Sequence, residues 1–452
     1  MNTKKALGLA AAAGLLLGPA TAIPASAAPG DEKEPKPPAV MSDVGGKQLA
    51  RPGTQVNPGA GAPEVPGKLT ARSWIVSDAE SGEILAAHNA HWKLAPASTL
   101  KMLFADTLLP KFGKTQEHKV TRSELAEVQP GSSLVGIKEG LSYTVHDLWL
   151  GVFLRSGNDA VHVLTEMNGG KQRTVDDMQA KADDLGAADT VVKEPDGYDA
   201  KGQSSSAYDL TLFARQGMKN PDFREYASTP SAKFPGEKKK GKRKTFEIQN
   251  TNRLLTGDYD LDVYKGIAGI KNGNTTEAGA TFTGVAERDG KVLLVTMMHP
   301  KGGHNQVYQE TAKLFDWGFK AAGTVQPVGK LVPPKSERQD AKGSAEGNQA
   351  GGAKGSASGS DESGKSGRDG GGITTALSIT AGSLALLALI ALLVKRRWPL
   401  PDIARRGRPA GAIEQQAGHE GEPEDKGDGH AEGSVDALGG DRGEVAAEKK
   451  LE

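Results

Sequence analysis

Two side chains near the start of a predicted helix have the chemistry of a nucleophile and its base. Ser98 and Lys101 lie three residues apart in the stretch Pro96 to Lys101. Residues at this spacing share one helix face, so the hydroxyl and the amine can meet. A serine needs a base to become nucleophilic, and lysine serves when burial or a second cation lowers its pKa. The same pattern also fits a helix start with a solvated lysine.

Two further polar motifs follow in the chain. Ser156-Gly157-Asn158 lies between two helical patterns, and Lys271-Asn272-Gly273 precedes a predicted hairpin. The order and placement of the three motifs resemble those of the penicillin-binding and serine β-lactamase superfamily. Stretches 194–199 and 205–210 narrow the resemblance to the serine D-alanyl-D-alanine carboxypeptidases, the low-molecular-mass penicillin-binding proteins. It covers about residues 68–325.

The resemblance implies a role for the residues of the first two motifs. Ser98 is expected to attack the carbonyl of the penultimate D-alanine of a peptidoglycan stem peptide, with Lys101 as general base. Ser156 is expected to relay a proton to the leaving amine, and Asn158 to hold Lys101 and the substrate amide. Because β-lactam antibiotics imitate the D-Ala-D-Ala end, they are expected to acylate Ser98 as covalent inhibitors.

The resemblance assigns substrate binding to the third motif and the residue after it. Lys271 is expected to supply positive potential for the terminal carboxylate and to help depress the pKa of Lys101. The amides of Ser98 and Asn274 are expected to form the oxyanion hole. The predicted substrate-binding residues are therefore Lys271, Asn272, Gly273 and Asn274.

Asn272 departs from the family pattern, which has Thr at this position. An Asn amide can also donate a hydrogen bond, but it is larger and suits a strand less well. One misplaced charge-assisted hydrogen bond would cost about 1.5–3 kcal/mol, or about one to two decades in rate. One alternative is therefore a weakly active or inactive penicillin-binding cell-wall protein. Another is a serine β-lactamase, although the Glu-x-x-x-Asn stretch of class A enzymes is not evident between residues 170 and 200.

Composition excludes several other classes. The chain has 452 residues, with 56 basic and 56 acidic side chains, so a strongly basic nucleic-acid binder is excluded. The absence of cysteine excludes disulfides, thiolate catalysis and Cys-ligated metal. The histidines show no metal-binding spacing, and we expect neither a metal nor a cofactor. A basic run at 238–244 is interpreted as a solvated hairpin tip, with contact to anionic wall polymers as the alternative.

Both ends of the chain have the patterns of targeting segments. Residues 1–27 show the charged, apolar and small-residue order of a secretory signal peptide. Residues 373–394 are uncharged and long enough to span a bilayer, and basic residues follow at 395–397. We therefore expect a single-pass cell-membrane protein with an extracellular catalytic domain and a cytosolic tail at 395–452.

The segment between these ends predicts a disordered leader at 28–67, a peptidase domain at 68–335 and a flexible stalk at 336–372. Strands are predicted at 73–77, 83–86, 281–286 and 292–298, and helices at 98–109, 145–154, 175–185, 207–218 and 307–319. Ser206 and Asp209 have the spacing of a capping box. Strands at the two ends of the domain and helices between them predict an α+β fold with an antiparallel sheet flanked by helices. The resemblance makes this a β-lactamase/transpeptidase-like fold, followed by one C-terminal transmembrane helix.

Overall fold

The computed structural model describes residues 35–338. The predicted signal peptide, transmembrane helix and cytosolic tail lie outside them, as does nearly all of the predicted stalk. Within residues 35–338, no helix is both long enough and apolar enough to cross a bilayer.

Short strands cluster at both ends of the described segment, and most helices lie between them. The strands are β1 (Thr54–Pro58), β2 (Ser73–Asp78), β3 (Glu83–His88), β4 (Glu117–Lys119), β5 (Ser142–Thr144), β6 (Ser231–Lys239), β7 (Lys242–Gln249), β8 (Ile267–Thr275), β9 (Gly279–Arg288), β10 (Lys291–Met298), β11 (Val325–Gln326) and β12 (Gly329–Lys330). The helices are α1 (Lys101–Leu108), α2 (Arg122–Ala126), α3 (Val145–Leu154), α4 (Asn158–Met167), α5 (Lys171–Leu185), α6 (Ala207–Gly217), α7 (Pro221–Ser228), α8 (Arg253–Thr256) and α9 (Gln306–Ala321). Two 3₁₀ turns, Ala97–Leu100 and Leu109–Lys111, flank α1.

One antiparallel sheet joins the two ends of the domain. Its main order is β11-β1-β3-β2-β10-β9-β8, and β12 pairs with β3 beside it. Strand β2 therefore lies beside β10, and the helical segment is inserted between them in the sequence. This arrangement confirms the predicted α+β fold and leaves β8 at an edge of the sheet.

Strand β10 shows why the sheet is covered on both faces. Leu294 and Met298 pack into the core that contains α1, α3, α4 and α6. Leu293, Val295 and Met297 point to the other face and pack with α9. Side chains alternate between faces along a strand, so a run that is apolar at almost every position marks a strand with two buried faces.

The prediction of a disordered leader at 28–67 is wrong for the part that the structure describes. Strand β1 pairs with β3 and β11, and Leu49 is fully buried. Gly and Pro suggested disorder, but the few apolar residues find a core, and Pro58 stands at the strand end, where a missing donor is tolerated. The folded domain therefore begins well before residue 68.

The predicted helices form with small shifts at their ends. Helix α3 has the predicted bounds, α5 begins four residues earlier at Lys171, and the helix predicted from residue 98 starts with the 3₁₀ turn. The capping box at the start of α6 is half formed. Ser206 accepts a bond from the Asp209 amide, but the Asp209 carboxylate instead accepts from Asp189 and Thr190.

Candidate active site

The Ser98 hydroxyl and the Lys101 ammonium form a hydrogen-bonded pair at the start of α1. Ser98 lies in the 3₁₀ turn that leads directly into this helix. Lys101 Nζ donates to Ser98 Oγ over 2.8 Å and to the main-chain oxygen of Asp196 over 2.5 Å. Lys101 is 1% exposed. The predicted contact between nucleophile and base is therefore present, with the amine removed from water.

Burial changes the acid–base chemistry of the lysines at this site. Desolvation lowers the pKa of Lys101 to about 8, although the negative charges of Asp196 and Asp159 oppose the shift. Burial and the charge of Lys101 hold the pKa of Lys271 well below its ordinary value. Burial is thus the main cause of the low pKa of Lys101, whereas we expected the positive charge of Lys271 to help lower it. A pKa near 8 lets part of the Lys101 population accept a proton at neutral pH.

Two glycines allow other segments to approach the nucleophile closely. A Cβ at Gly273 would lie 2.7 Å from the Ser98 amide nitrogen, and one at Gly197 would lie 2.1 Å from the Ala97 carbonyl oxygen. Ala97 itself has φ 49°, in the left-handed region that non-glycine residues rarely adopt. The turn that carries Ser98 is therefore held between β8 and the loop at 194–199 in a strained conformation.

The second motif forms the turn that leads into α4. Ser156 has φ 55°, and both Ser156 and Asn158 are almost fully buried. Ser156 Oγ and Asn158 Oδ1 have no hydrogen-bond partner among residues 35–338. Buried polar atoms are normally paired, and of these two residues Asn158 also lines the cleft over Ser98. The expected contact between Asn158 and Lys101 does not form: Asn158 Oδ1 has no partner there, and Lys101 Nζ donates to Ser98 and Asp196.

Asp159 fixes the neighbouring wall of the cleft. Its carboxylate accepts main-chain hydrogen bonds from Val135, Gly136 and Ile137 over 2.7–3.0 Å. These bonds attach the segment 131–138 to the first turn of α4, next to Asn158. Sequence reasoning did not assign a role to Asp159, although its place directly after the Ser-Gly-Asn motif was visible.

The third motif lies on strand β8, where the side chains of Lys271 and Asn272 make hydrogen bonds within the protein. Lys271 is 1% exposed, and its Nζ donates to the main-chain oxygen of Asn272 over 2.9 Å. Asn272 Oδ1 accepts from Thr251 Oγ1 over 2.9 Å and lies 3.4 Å from Lys271 Nζ. The carboxamide oxygen of Asn272 is thus used inside the protein. The expected hydrogen bond to a substrate carboxylate would instead be donated by the carboxamide nitrogen.

An open polar cleft of about 420 Å³ lies over Ser98. Asn158 and Asn274 contribute to its walls, together with one acidic residue, Asp199, and with hydroxyl-bearing and small residues from three segments of the chain: Gly131, Ser132, Ser133, Tyr198, Thr275 and Thr276. Tyr198 Oη also donates to the Pro130 carbonyl oxygen over 3.2 Å, which links two of these segments. The cleft is suited to an extended peptide with several polar groups.

His162 and Asp196 form a pair behind Lys101 that sequence reasoning missed. His162 Nε2 lies 3.8 Å from Asp196 Oδ2, and both side chains are buried. Burial favours the neutral acid, yet the interaction with His162 and the charge of Lys101 hold the pKa of Asp196 below its usual range. Asp196 therefore faces Lys101 as a carboxylate. His162 lies one helical turn after Asn158, and that spacing was the only available signal.

One cluster has the residue types of a metal site. His91, Asp189 and Asp209 offer three ligand atoms within 4.8 Å of one another. His91 Nδ1 already pairs with Asp189 Oδ2 over 2.6 Å, and His91 Nε2 donates to the Val44 carbonyl. Both ring nitrogens are therefore engaged, which leaves no imidazole nitrogen free to ligate a metal. We interpret this cluster as a structural network that attaches residues near Val44 to the domain.

The fold and the buried Ser–Lys pair define a serine enzyme of the acyl-transfer class. Residues 60–301 match the sequence profile of the D-alanyl-D-alanine carboxypeptidase family, Peptidase S11. The chain is 38% identical over 266 residues to D-alanyl-D-alanine carboxypeptidase DacB2 of Mycobacterium tuberculosis, covering 58% of this chain and 86% of DacB2. It spans between 62% and 70% of the length of five further curated relatives.

Solved structures agree with the sequence match. A crystal structure of a D-alanyl-D-alanine carboxypeptidase from M. tuberculosis has a TM-score of 0.55 and 35% identity, covering 61% of this chain and 100% of that one. A mutant form of the Streptomyces K15 DD-transpeptidase has a TM-score of 0.52 and 25% identity, covering 56% and 99%. The chain belongs to the D-alanyl-D-alanine carboxypeptidase family.

Proposed function

We propose that this protein is a serine-type D-Ala-D-Ala carboxypeptidase that removes the terminal D-alanine from peptidoglycan stem peptides. The observation that carries the proposal is the contact of 2.8 Å between Ser98 Oγ and the buried Nζ of Lys101. A lysine with a pKa of about 8 can take the serine proton at neutral pH, which an ordinary solvated lysine cannot.

In the acylation step, Ser98 Oγ attacks the carbonyl carbon between the last two D-alanines while Lys101 accepts its proton. The amides of Ser98 and Asn274 would stabilise the oxyanion, since Gly273 brings β8 against the Ser98 amide. The carbon–nitrogen bond then breaks, and the amine of the terminal D-alanine takes a proton through Ser156. Free D-alanine leaves, and an ester on Ser98 remains.

The substrate carboxylate would place a negative charge beside the buried amine of Lys271. Burial disfavours the charged form of Lys271, and a nearby carboxylate would favour it again. Asn158 would accept a hydrogen bond from the substrate amide through its unpaired Oδ1. Lys101 is neutral again once its proton has passed through Ser156 to the departing D-alanine. In the second step, water attacks the ester while Lys101 accepts a proton from it, the bond to Ser98 Oγ breaks, and Lys101 passes that proton to Ser98, so no cofactor is consumed.

Parallel assays of D-alanine release from a soluble pentapeptide and of penicillin hydrolysis test the reaction. Carboxypeptidase activity predicts rapid D-alanine release and slow turnover of a penicillin that acylates the enzyme. Rapid penicillin hydrolysis would instead support a β-lactamase. If the protein shows neither activity but forms a stable penicillin adduct, it would be an inactive penicillin-binding protein. Ser98→Ala is the control that should abolish all three signals.

We further propose that the enzyme is exported and tethered at the outer face of the cell membrane. The basis is sequence alone: a signal peptide at 1–27 and a span at 373–394 followed by basic residues. Comparison of full-length protein with a chain truncated after residue 338 tests the tether. The full chain should fractionate with membranes and the truncated chain should be released; equal release of both would contradict a membrane span.

A further inference from the structure

The hairpin β6–β7 and the segment before β5 enclose a groove outside the catalytic cleft. The groove has a volume of about 320 Å³. Lys138, Lys239 and Lys244 surround it, Phe246 lines it with a ring that is 41% exposed, and Glu237 is the one acidic residue in its lining. We call this feature the hairpin groove. Its walls combine several cations with an apolar surface.

The lysines of the hairpin groove are not neutralised within residues 35–338. None of Lys138, Lys239, Lys242 and Lys244 has a carboxylate within ion-pair distance there, and all four are exposed. Lys239 and Lys242 face each other across the hairpin. Like charges held this close repel one another, and together they produce a positive potential that attracts anions.

Arg243, in the same hairpin, is a cation with a structural role. Its guanidinium lies 4.5 Å from the centre of the Tyr143 ring, and it donates to the Gly236 and Ser142 carbonyl oxygens. These contacts hold the hairpin against the domain. The neighbouring lysines make no such contacts among residues 35–338, so their charges are available to a ligand.

A short and rigid connection joins the hairpin groove to the catalytic cleft. Ser133 lines the cleft and Gly136 lines the groove. Three residues span at most about 11 Å. Asp159 holds the intervening backbone against α4, as its bonds to Val135 and Gly136 show. A chain that places one end in the cleft can therefore continue into the groove.

We infer that the hairpin groove binds an anionic stretch of the same peptidoglycan strand whose stem peptide occupies the cleft. This inference rests on the proposed function. Each unprocessed stem peptide ends in a carboxylate, so a strand repeats negative charges at intervals that the lysines can bind. The recessed shape favours a linear chain over a flat membrane surface, and Phe246 offers contact to its apolar carbons. The enzyme is therefore adapted to polymeric substrate.

The test compares one polymeric and one small substrate. The variant K239Q/K242Q/K244Q removes two lysines that line the groove and Lys242, which pairs with Lys239 across the hairpin. The variant K265Q/K313Q/K320Q removes three exposed lysines elsewhere, two of them on α9. D-Alanine release is measured on purified sacculi and on a soluble pentapeptide at low salt. We expect kcat/KM on sacculi to fall about tenfold for the groove variant and to change less than about twofold on the pentapeptide. The control variant should match the parent protein on both, and K239R/K242R/K244R should retain activity on sacculi.

Several results would overturn the inference. Unchanged activity of the groove variant on sacculi would contradict it, and so would an equal loss on both substrates. Salt should weaken the preference of the parent protein for sacculi, because exposed charges are screened; a salt-independent preference would contradict a charge-based groove. If the groove variant and the parent protein are equally active on sacculi stripped of phosphodiester polymers, the ligand is such a polymer and not the substrate strand. If the variant instead loses binding to anionic vesicles, the ligand is a membrane.

The proposed function can fail separately from this inference. In that case the parent protein would release no D-alanine from the pentapeptide. Sedimentation of the parent protein and of the groove variant with sacculi would still measure how strongly the hairpin groove binds the strand. Weaker sedimentation of the groove variant would support binding of the strand, and equal sedimentation would contradict it.

Discussion

Two groups of lysines in this protein have opposite surroundings. Lys101 and Lys271 are each 1% exposed and lie beside the nucleophile. Lys239, Lys242 and Lys244 are exposed on a hairpin and have no carboxylate partner in the part of the chain that the structure describes. In the first group, burial lowers the pKa of both amines and makes Lys101 a base. The second group provides a field of positive charge because water keeps its ammonium groups solvated.

This difference shows that burial decides which chemistry a lysine performs. Desolvation of an ammonium disfavours its charge, so the buried amine can accept a proton near neutral pH. Exposed ammonium groups retain their hydration, and their effect on a polyanion depends on number and spacing. Changes at and around the buried pair should therefore alter the rate of the chemical step itself.

Ser98→Ala should abolish covalent labelling by a fluorescent penicillin. The alanine side chain has no oxygen to form the acyl bond, so the labelled band should be absent rather than weaker. The readout is gel fluorescence after incubation, with Ser132→Ala, a substitution at a cleft-lining hydroxyl, as the control that should still label. Persistent labelling of the Ser98 variant would show that another side chain is the nucleophile.

Lys101→Arg should slow acylation by about two to four decades. Arginine keeps the positive charge but cannot be deprotonated in a protein, so it cannot take the Ser98 proton. The rate of penicillin acylation measures the effect. Lys101→Met tests the same loss without the bulk of the guanidinium. A rate close to that of the parent for either variant would show that another group is the base.

Acylation of the parent enzyme should rise about tenfold from pH 7 to pH 9. The folded-state pKa of Lys101 is about 8, below the ordinary lysine value, so the neutral base form increases as pH rises through 8. The acylation rate measured across this range and on either side of it gives the midpoint.

Asp196→Asn provides the internal control for this profile. The negative charge of Asp196 raises the pKa of Lys101, so its removal should move the midpoint to lower pH. A flat profile in the parent, or a shift of the variant to higher pH, would contradict the assignment of Lys101 as the titrating base.

Asn272→Thr should leave carboxypeptidase activity equal or up to a few-fold higher. The substitution restores the residue type of the family motif, and it removes the amide oxygen that now accepts from Thr251. D-Alanine release from the pentapeptide is the measurement, with thermal unfolding as the control for folding. A clear loss of activity without a loss of stability would show that the site is adapted to asparagine.

The sequence predicted the parts of the site that depend on local spacing. The i,i+3 relation of Ser98 and Lys101 fixes their meeting once a helix starts there. Helix α3 followed from its apolar period, and β10 from its apolar run. These features depend on neighbours in the chain, and periodicity reports such neighbours directly.

Features that depend on distant contacts were not predicted. The main-chain oxygen of Asp196 reaches Lys101 because Gly197 lets its loop pack against Ala97. The buried partner of the Asp196 carboxylate, His162, comes from a different element. The leader was predicted to be disordered from its Pro and Gly content, whereas the strands that pair with β1, which are β3 and β11, lie outside its own segment of the chain.

All of this chemistry depends on a buried amine that activates the Ser98 hydroxyl. Peptide mass spectrometry of the domain at 35–338 after exposure to penicillin locates the activated side chain without any substitution. We expect one penicilloyl adduct, located on Ser98, that forms faster at pH 9 than at pH 7. An adduct on any other residue, or no adduct on the folded protein, would show that this pair does not perform the reaction.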